Sequence, residues 1–166
     1  MMKNGEEMKL TTPSDREVVV TRVFDAPRKL VWRAMSEPDL LKRWIPGPPG
    51  WPIVRCDQDW RVGGAFHFAW RGPDGSEMTL SGIFSEVVPP ERVVRTESFV
   101  IGVPPRSGEQ LATLVLTEQG GKTTLTLTVQ YPSKEARDAA IVGGMNKGLA
   151  EGYDRLDEVF KASAHI

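Results

Sequence analysis

Apolar residues recur at helical spacing in the last part of the chain, between residues 133 and 162. The steps between them are three or four residues, which is the spacing of one face of an α-helix. Ser133 comes at the start of this stretch, where its hydroxyl can cap the first turn. The pattern therefore predicts one long helix with a buried stripe of Ile141, Met145, Leu149, Tyr153, Leu156 and Phe160.

A second stripe of the same helix carries only small residues, at Ala140, Gly144, Gly148 and Gly152. Each glycine inside a helix costs about 0.5–1 kcal/mol relative to alanine, so three on one face require a reason. The commoner reason is close approach of another backbone. The alternative is that the helix lies across a curved sheet and leaves a cavity beside this stripe.

The chain before this helix is patterned mainly as strands. Residues 17–24 are rich in β-branched side chains and predict a strand, and two short helices are expected after residues 25–27 and 36–39. The proline-rich segment 46–52 cannot form regular structure. Residues 1–15 are expected to be a flexible lead-in, and residues 16–163 a single domain. Six more strands are predicted, over residues 53–60, 65–71, 78–88, 92–100, 110–118 and 122–131.

The last predicted strand alternates apolar and polar residues, which indicates a sheet with one buried face and one solvated face. Short turns between consecutive strands imply antiparallel pairing. A single terminal helix then has to cover the apolar face. The predicted fold class is α+β, with a curved antiparallel sheet of about seven strands around the long C-terminal helix and two short helices after the first strand.

Composition changes this picture little and excludes several classes of function. The chain has 166 residues and a net charge of −1, without the basic runs that bind nucleic acid. No stretch approaches the roughly 20 apolar residues of a membrane span, and no signal peptide is visible. One cysteine excludes an internal disulfide framework. We expect a cytoplasmic protein that binds neither nucleic acid nor membrane; its oligomeric state cannot be predicted.

The apolar face of the predicted sheet supplies candidate cavity residues, although a filled core would use the same residue types. Trp44 and Trp51 flank the proline-rich loop and either guard the mouth of a cavity or clamp that loop onto the sheet. Arg95 and Glu97 share the parity of Phe99, so they point inward unless a bulge turns them to solvent. The candidate ligand-binding residues are Trp44, Trp51, Phe66, Phe68, Trp70, Met78, Leu80, Phe84, Arg95, Glu97, Phe99, Leu114, Ile141, Met145, Gly148 and Leu149.

Recognisable catalytic and metal-binding patterns are missing from the sequence. His67 has the parity of the outer face, and neither histidine has a second ligand at metal-binding spacing. Cys56 has no basic partner, and no glycine-rich phosphate loop is present. We expect no metal and no cofactor. An enzyme would need an inward titratable group, and only Glu86, Glu97 and Arg22 are available; the strand pattern leaves their directions open.

Six short motifs occur in order along the chain: residues 24–32 (FDAPRKLVW), 61–64 (RVGG), 72–75 (GPDG), Gly82 with Glu86, 89–93 (PPERV) and 120–123 (GGKT). This ordered set resembles the family of activator-of-heat-shock-protein-ATPase homologues, in the START-like or SRPBCC superfamily that also holds polyketide cyclases. The resemblance covers about residues 17–160 and implies a helix-grip fold with a cavity between sheet and helix. It supplies no universal catalytic residues. The family often has Gly-Trp in the last helix where this chain has Gly148 and Leu149, which would enlarge or reshape the cavity.

These observations lead to three hypotheses in order of preference. The first is binding of a small hydrophobic or aromatic molecule in the cavity, with Arg95 or Glu97 as a polar anchor. The second is an enzyme of cyclase or hydrolase type that uses the same cavity. The third is a module that binds a chaperone partner through its outer surface, which would need an exposed apolar patch.

Overall fold

A computed structural model describes residues 8–45, 47–101 and 109–163 of the chain. Four helices accompany the strands within this part of the chain: α1 (Arg28–Ser36), α2 (Pro38–Leu41), α3 (Lys134–Val142) and α4 (Met145–Ser163). The strands are β1 (Lys9–Thr11), β2 (Glu17–Phe24), β3 (Ile53–Gln58), β4 (Ala65–Arg71), β5 (Glu77–Val88), β6 (Arg92–Ile101), β7 (Gln110–Gln119) and β8 (Lys122–Gln130).

The strands form one antiparallel sheet in the order β1-β2-β8-β7-β6-β5-β4-β3. From β3 to β8, each strand pairs with the strand that follows it in the chain. The earlier strand β2 pairs with the last strand, β8. The register shifts between Phe84 and Glu86, where a bulge bends the long β5 strand. The curved sheet and the C-terminal helices confirm the predicted α+β class and the helix-grip fold.

Eight described strands replace the roughly seven expected, because the stretch taken as a lead-in contains β1. Its pairing with β2 places Leu10 opposite Val20. With only three residues, β1 is too short to show the alternation that predicts a strand from sequence. It is recognised only by its pairing with β2.

The single long helix predicted for residues 133–162 was wrong, because the chain breaks between α3 and α4 at Gly143 and Gly144. Gly144 has φ of +94°, in the region that glycine adopts without steric cost and that no α-helix contains. The predicted N-terminal cap is confirmed: the Ser133 hydroxyl accepts a hydrogen bond from the Ala136 amide at 3.0 Å. The small-residue pattern at residue 144 therefore marks a helix end.

The second half of α4 closes one end of the sheet with a dense core. The Phe24 ring meets Tyr153 and Phe160 of α4 edge to face, with centroids 5.9 and 5.5 Å apart. Leu156 and Leu125 are fully buried. Core side chains at this end hold the helix against the sheet.

An ion pair fixes the same part of α4 to β2. Arg22 points inward and is 2% exposed, and its Nη1 donates to Asp154 Oδ1 at 2.9 Å. Its Nη2 lies 3.9 Å from Asp157 Oδ2, and the guanidinium also covers the Phe24 ring. The strand pattern had left the direction of Arg22 open, and burial in the structure answers it.

Across the described part of the chain, the helices are all too short or too polar to cross a lipid bilayer.

Candidate functional site

The middle of the concave sheet face is less covered than the rows on either side of it. Leu114 of β7 and Leu127 of β8 are paired neighbours, and both are only half-buried. Side chains two positions away on the same strands are buried, so the inner face is least covered at this central pair. The buried flanking residues are Ala112, Leu116, Leu125 and Val129.

The first two turns of α4 are also incompletely buried. Met145 and Leu149 precede Tyr153 by two turns and one turn on the same helical stripe, yet both stay half-buried where Tyr153 is buried. A Cβ placed on Gly148 would meet no atom within 4 Å. The first two turns of α4 thus contact the core through Met145 and Leu149, but they are less completely buried than the turns from Tyr153 onward. Of the two explanations for the glycines, the structure favours open space at Gly148.

A polar group lies on the sheet wall of the space. Arg95 of β6 donates to Glu97 Oε2 through Nε at 2.9 Å, and Gln110 of β7 donates to Glu97 Oε1 at 2.8 Å. The Arg95 guanidinium covers the Phe66 ring, with its central carbon 4.0 Å from the ring centroid. Both charges point inward, which is one of the two directions that the strand pattern had left open, and each neutralises the other.

Two tyrosines border this polar group, and both are buried. Burial and the nearby Glu97 carboxylate raise the pKa of Tyr131 to about 12. The same two causes raise the pKa of Tyr153, against smaller opposing effects of Arg95 and Arg22. Both phenols are therefore neutral over the physiological range, and each can donate or accept a hydrogen bond.

A shallow groove on the surface, of about 250 Å³, lies beside the Glu97 end of the site. It is lined mainly by polar side chains and is open to solvent, unlike the apolar space under α4. Its lining includes Arg16, Gln110, Leu111 and Tyr131. Since Gln110 also binds Glu97, the groove adjoins the polar wall from outside.

Ten of the sequence-predicted site residues lie on the inner face of the sheet or on α3 and α4. Leu80 and Phe99 are paired neighbours on β5 and β6, and 37% of Phe99 is exposed. The aliphatic members contact the edge of the core without being enclosed by it. The ten are Met78, Leu80, Arg95, Glu97, Phe99, Leu114, Ile141, Met145, Gly148 and Leu149.

Four predicted aromatic residues belong to the core. Phe66 contacts both Phe68 and Phe84, with centroids 5.2 and 5.5 Å apart, and Phe68 contacts Trp70. All four are at most 5% exposed. Their rings form a packed part of the inner face, and Phe66 and Phe68 also lie under the Arg95 guanidinium.

The two tryptophans beside the proline-rich loop have separate structural positions. Trp44 is 7% exposed, donates its indole N–H to the Ala34 carbonyl at 2.9 Å and stacks on Tyr153. The Trp51 ring lies against Gly72, where a Cβ would come within 2.6 Å of it. Trp51 thus clamps its loop onto the turn after β4, the second of the two roles considered for it.

The remaining polar candidates lie away from the space. Glu86 pairs with Arg92 at 3.1 Å at the surface, so it does not point inward. Burial raises the pKa of the Cys56 thiol, which makes it a poor nucleophile. Within residues 8–45, 47–101 and 109–163, no cluster of three potential metal ligands occurs.

Four residues at the site were not among the candidates, namely Gln110, Leu127, Tyr131 and Tyr153. Leu127 had the correct parity, and Tyr153 was recognised only as part of the apolar helical stripe. Gln110 opens a strand, and only its cross-strand pairing with Glu97 gives it a role. The alternation of side chains along each strand predicted which residues face inward. Which of these residues contact one another depends on the pairing of strands and on helix packing, which the alternation does not give.

Comparison with known proteins agrees with this architecture. A protein of Rhodobacter sphaeroides with a crystal structure is 31% identical, with 94% of this chain and 99% of that chain covered and a TM-score of 0.84. A Nitrosomonas europaea crystal structure is 28% identical over 93% of this chain and 100% of that one, with a TM-score of 0.79. An Arthrobacter aurescens solution structure is 26% identical over 93% and 91%, with a TM-score of 0.81.

No curated protein matches the chain in sequence. The sequence profile described as "Activator of Hsp90 ATPase homolog 1-like protein" matches residues 25–161, most of the chain. The resemblance seen in the motifs is thereby confirmed, and the chain belongs to the family of Activator of Hsp90 ATPase homolog 1-like proteins.

Proposed function

We propose that this protein binds a small hydrophobic or aromatic molecule in the space between the concave sheet face and the first two turns of α4. The observation that carries the proposal is the pair of half-buried leucines, Leu114 and Leu127, in the middle of an otherwise covered face. A binding site for an apolar molecule needs such concave apolar surface together with a few convergent polar groups. Arg95 and Glu97 supply the polar groups.

Binding is a better account of the site than catalysis because its carboxylate is already occupied. Glu97 accepts from Arg95 on one oxygen and from Gln110 on the other. A general base has to be free to take a proton from a substrate. Glu86, the other carboxylate considered, is paired at the surface.

A chaperone partner, which the family description suggests, is the second candidate. Partner binding calls for a continuous apolar patch. The large apolar side chains that are exposed in the described residues belong to separate parts of the fold, among them Val54, Val62, Ile83, Val88 and Val142. This distribution favours the interior site.

The test is native mass spectrometry of the protein from its own host, compared with its denatured mass. A bound molecule that is lost on denaturation supports the proposal and gives the mass of the ligand. Binding of the neutral dye N-phenylnaphthylamine, followed by its fluorescence, tests the protein when it is purified empty. Absence of both signals would count against an interior site.

Filling the space tests where binding occurs. Gly148→Leu places a side chain where the structure has no atom within 4 Å of a Cβ, and we expect it to weaken dye binding by about tenfold or more. Lys147→Leu adds the same side chain at an exposed position of the same helix and serves as the control. Equal dye affinity of both variants and the parent protein would place the dye elsewhere.

A further inference from the structure

Tyr153 carries a polar atom that nothing in the described protein satisfies. The residue is 2% exposed, and its hydroxyl makes no hydrogen bond with any described residue. Buried hydroxyls normally have a partner, and a missing one costs free energy. An unpartnered hydroxyl at this depth therefore calls for a partner from outside the chain.

The Tyr153 hydroxyl also keeps contact with open space. The described polar side-chain atoms that are both unpartnered and fully enclosed are Arg22 Nε and Nη2 and the indole nitrogens of Trp60 and Trp70. The hydroxyl is not one of them, so the small exposed area of Tyr153 reaches it. The residue follows Leu149 by one helical turn, which places it at the inner end of the proposed space.

The aromatic ring of Tyr153 is held in place from two sides. Trp44 stacks on it with centroids 6.1 Å apart, and Phe24 meets it edge to face at 5.9 Å. The hydroxyl consequently has a fixed position, and a ligand group that binds it loses little to reorganisation of the protein.

The charges around the space are already balanced within the protein. Arg95 pairs with Glu97, and Arg22 lies between Asp154 and Asp157. Lys161 pairs with Asp157 from the outer side. Lys161 also pairs with Glu158 at 3.3 Å, so each of these three cations has at least one carboxylate within 4.0 Å. An ionised ligand would bring an unbalanced charge into a buried site, which is unfavourable.

We infer that the ligand is an uncharged, mainly apolar molecule with one hydroxyl or carbonyl group, which forms a hydrogen bond with the Tyr153 hydroxyl. This inference rests on the proposed function and narrows it to a chemical class. The apolar part of the molecule would lie against Leu114, Leu127 and Leu149. Its polar group would point along the helix toward Tyr153.

Three probes of similar size test the inference, namely naphthalene, naphthol and naphthoate. Their dissociation constants are measured by calorimetry on the full chain near neutral pH. We expect naphthol to bind about tenfold more tightly than naphthalene, the gain of one well-placed buried hydrogen bond. Naphthoate should bind more weakly than naphthol because it is ionised.

The variant Tyr153→Phe removes only the hydroxyl. We expect its affinity for naphthol to fall to that for naphthalene, while its affinity for naphthalene stays as in the parent protein. Unchanged naphthalene binding also reports that the variant is folded and that its space is intact. If the variant fails to bind naphthalene, the parent protein's ranking of the three probes decides alone.

The outcomes separate this inference from the proposed function. Equal binding of naphthol and naphthalene by the parent protein, or tightest binding of naphthoate, overturns the inference while the interior site stands. Retention of the naphthol preference in a folded Tyr153→Phe variant also overturns it. If none of the probes binds and N-phenylnaphthylamine does not bind either, the interior site itself is rejected.

Discussion

Two glycines on the walls of the interior have opposite surroundings. A Cβ on Gly148 of α4 would meet nothing within 4 Å, whereas a Cβ on Gly82 of β5 would lie 1.8 Å from the Thr96 carbonyl oxygen. Gly82 permits the close approach of two strands beside the bulge, and Gly148 leaves a gap. A glycine in the sequence therefore does not by itself show whether its position is tightly packed or next to open space.

This contrast predicts opposite effects of alanine on stability. Gly148→Ala should raise the free energy of unfolding by about 1 kcal/mol, since alanine is the better helix former and has room. Gly82→Ala should lower it by about 1–3 kcal/mol, because the methyl group overlaps backbone. Urea unfolding followed by circular dichroism measures both. A loss of stability in Gly148→Ala would mean that the space is filled.

The raised pKa of Tyr131 predicts a loss of stability in alkali. In the unfolded chain the phenol ionises near its ordinary pKa of 10, whereas in the fold it keeps its proton to about 12. Stability is therefore complete below pH 10 and falls as the pH rises from 10 to about 12, by about 2–3 kcal/mol. Tyr153 acts in the same direction.

Denaturant unfolding at a series of alkaline pH values measures this decline, and Tyr131→Phe should make it smaller. The chain has two tyrosines, so tyrosinate absorbance reports on these two residues alone. Ionisation of both at the ordinary pH in a folded protein would contradict the burial of their hydroxyls.

At the scale of elements, the strands could be predicted and the helix break could not. Alternation of apolar and β-branched residues gave β2 with its observed bounds, and parity placed Arg95 and Glu97 on the same face as Phe99. The helical stripe runs without interruption from Ile141 to Met145, and the break at Gly144 depends on a backbone conformation that a stripe does not record. Periodicity shows which face of a helix is apolar. It does not reveal a break such as the one at Gly144, because the apolar residues on both sides of the break keep the helical spacing.

The attachment of α4 to β2 depends on the buried Arg22. Arg22→Ala should lower the free energy of unfolding by about 3 kcal/mol, because it removes a buried side chain together with its ion pairs to Asp154 at 2.9 Å and Asp157 at 3.9 Å. Arg22→Met should cost less, since the methionine chain fills the volume. Chemical unfolding measures both variants. As a comparison, Arg92→Ala removes a surface pair with Glu86 and should change stability by less than about 1 kcal/mol. Equal losses at the two sites would contradict this role.

At the scale of the whole molecule, the sequence predicted the fold and left the interior undecided. The order of strands and helices, and an ordered set of motifs, were enough for the helix-grip architecture. The sixteen candidates nevertheless mixed core residues such as Phe84 with residues beside the space such as Leu114. A filled core and a binding cavity use the same side chains, and the difference is the distance between two walls. That distance depends on how closely the first turns of α4 pack against the sheet.

The less complete burial of α4 before Tyr153 divides the molecule into two regions of unequal cohesion. Core contacts of Tyr153, Leu156 and Phe160 resist opening as part of global unfolding, while the turns around Gly148 are held by far less packing. Gly144, with its left-handed backbone, separates these turns from α3, and we predict that their local opening would admit a ligand of the proposed site while the core stays intact. A bound ligand would supply the packing that this end of the helix lacks, so occupancy and local order would rise together.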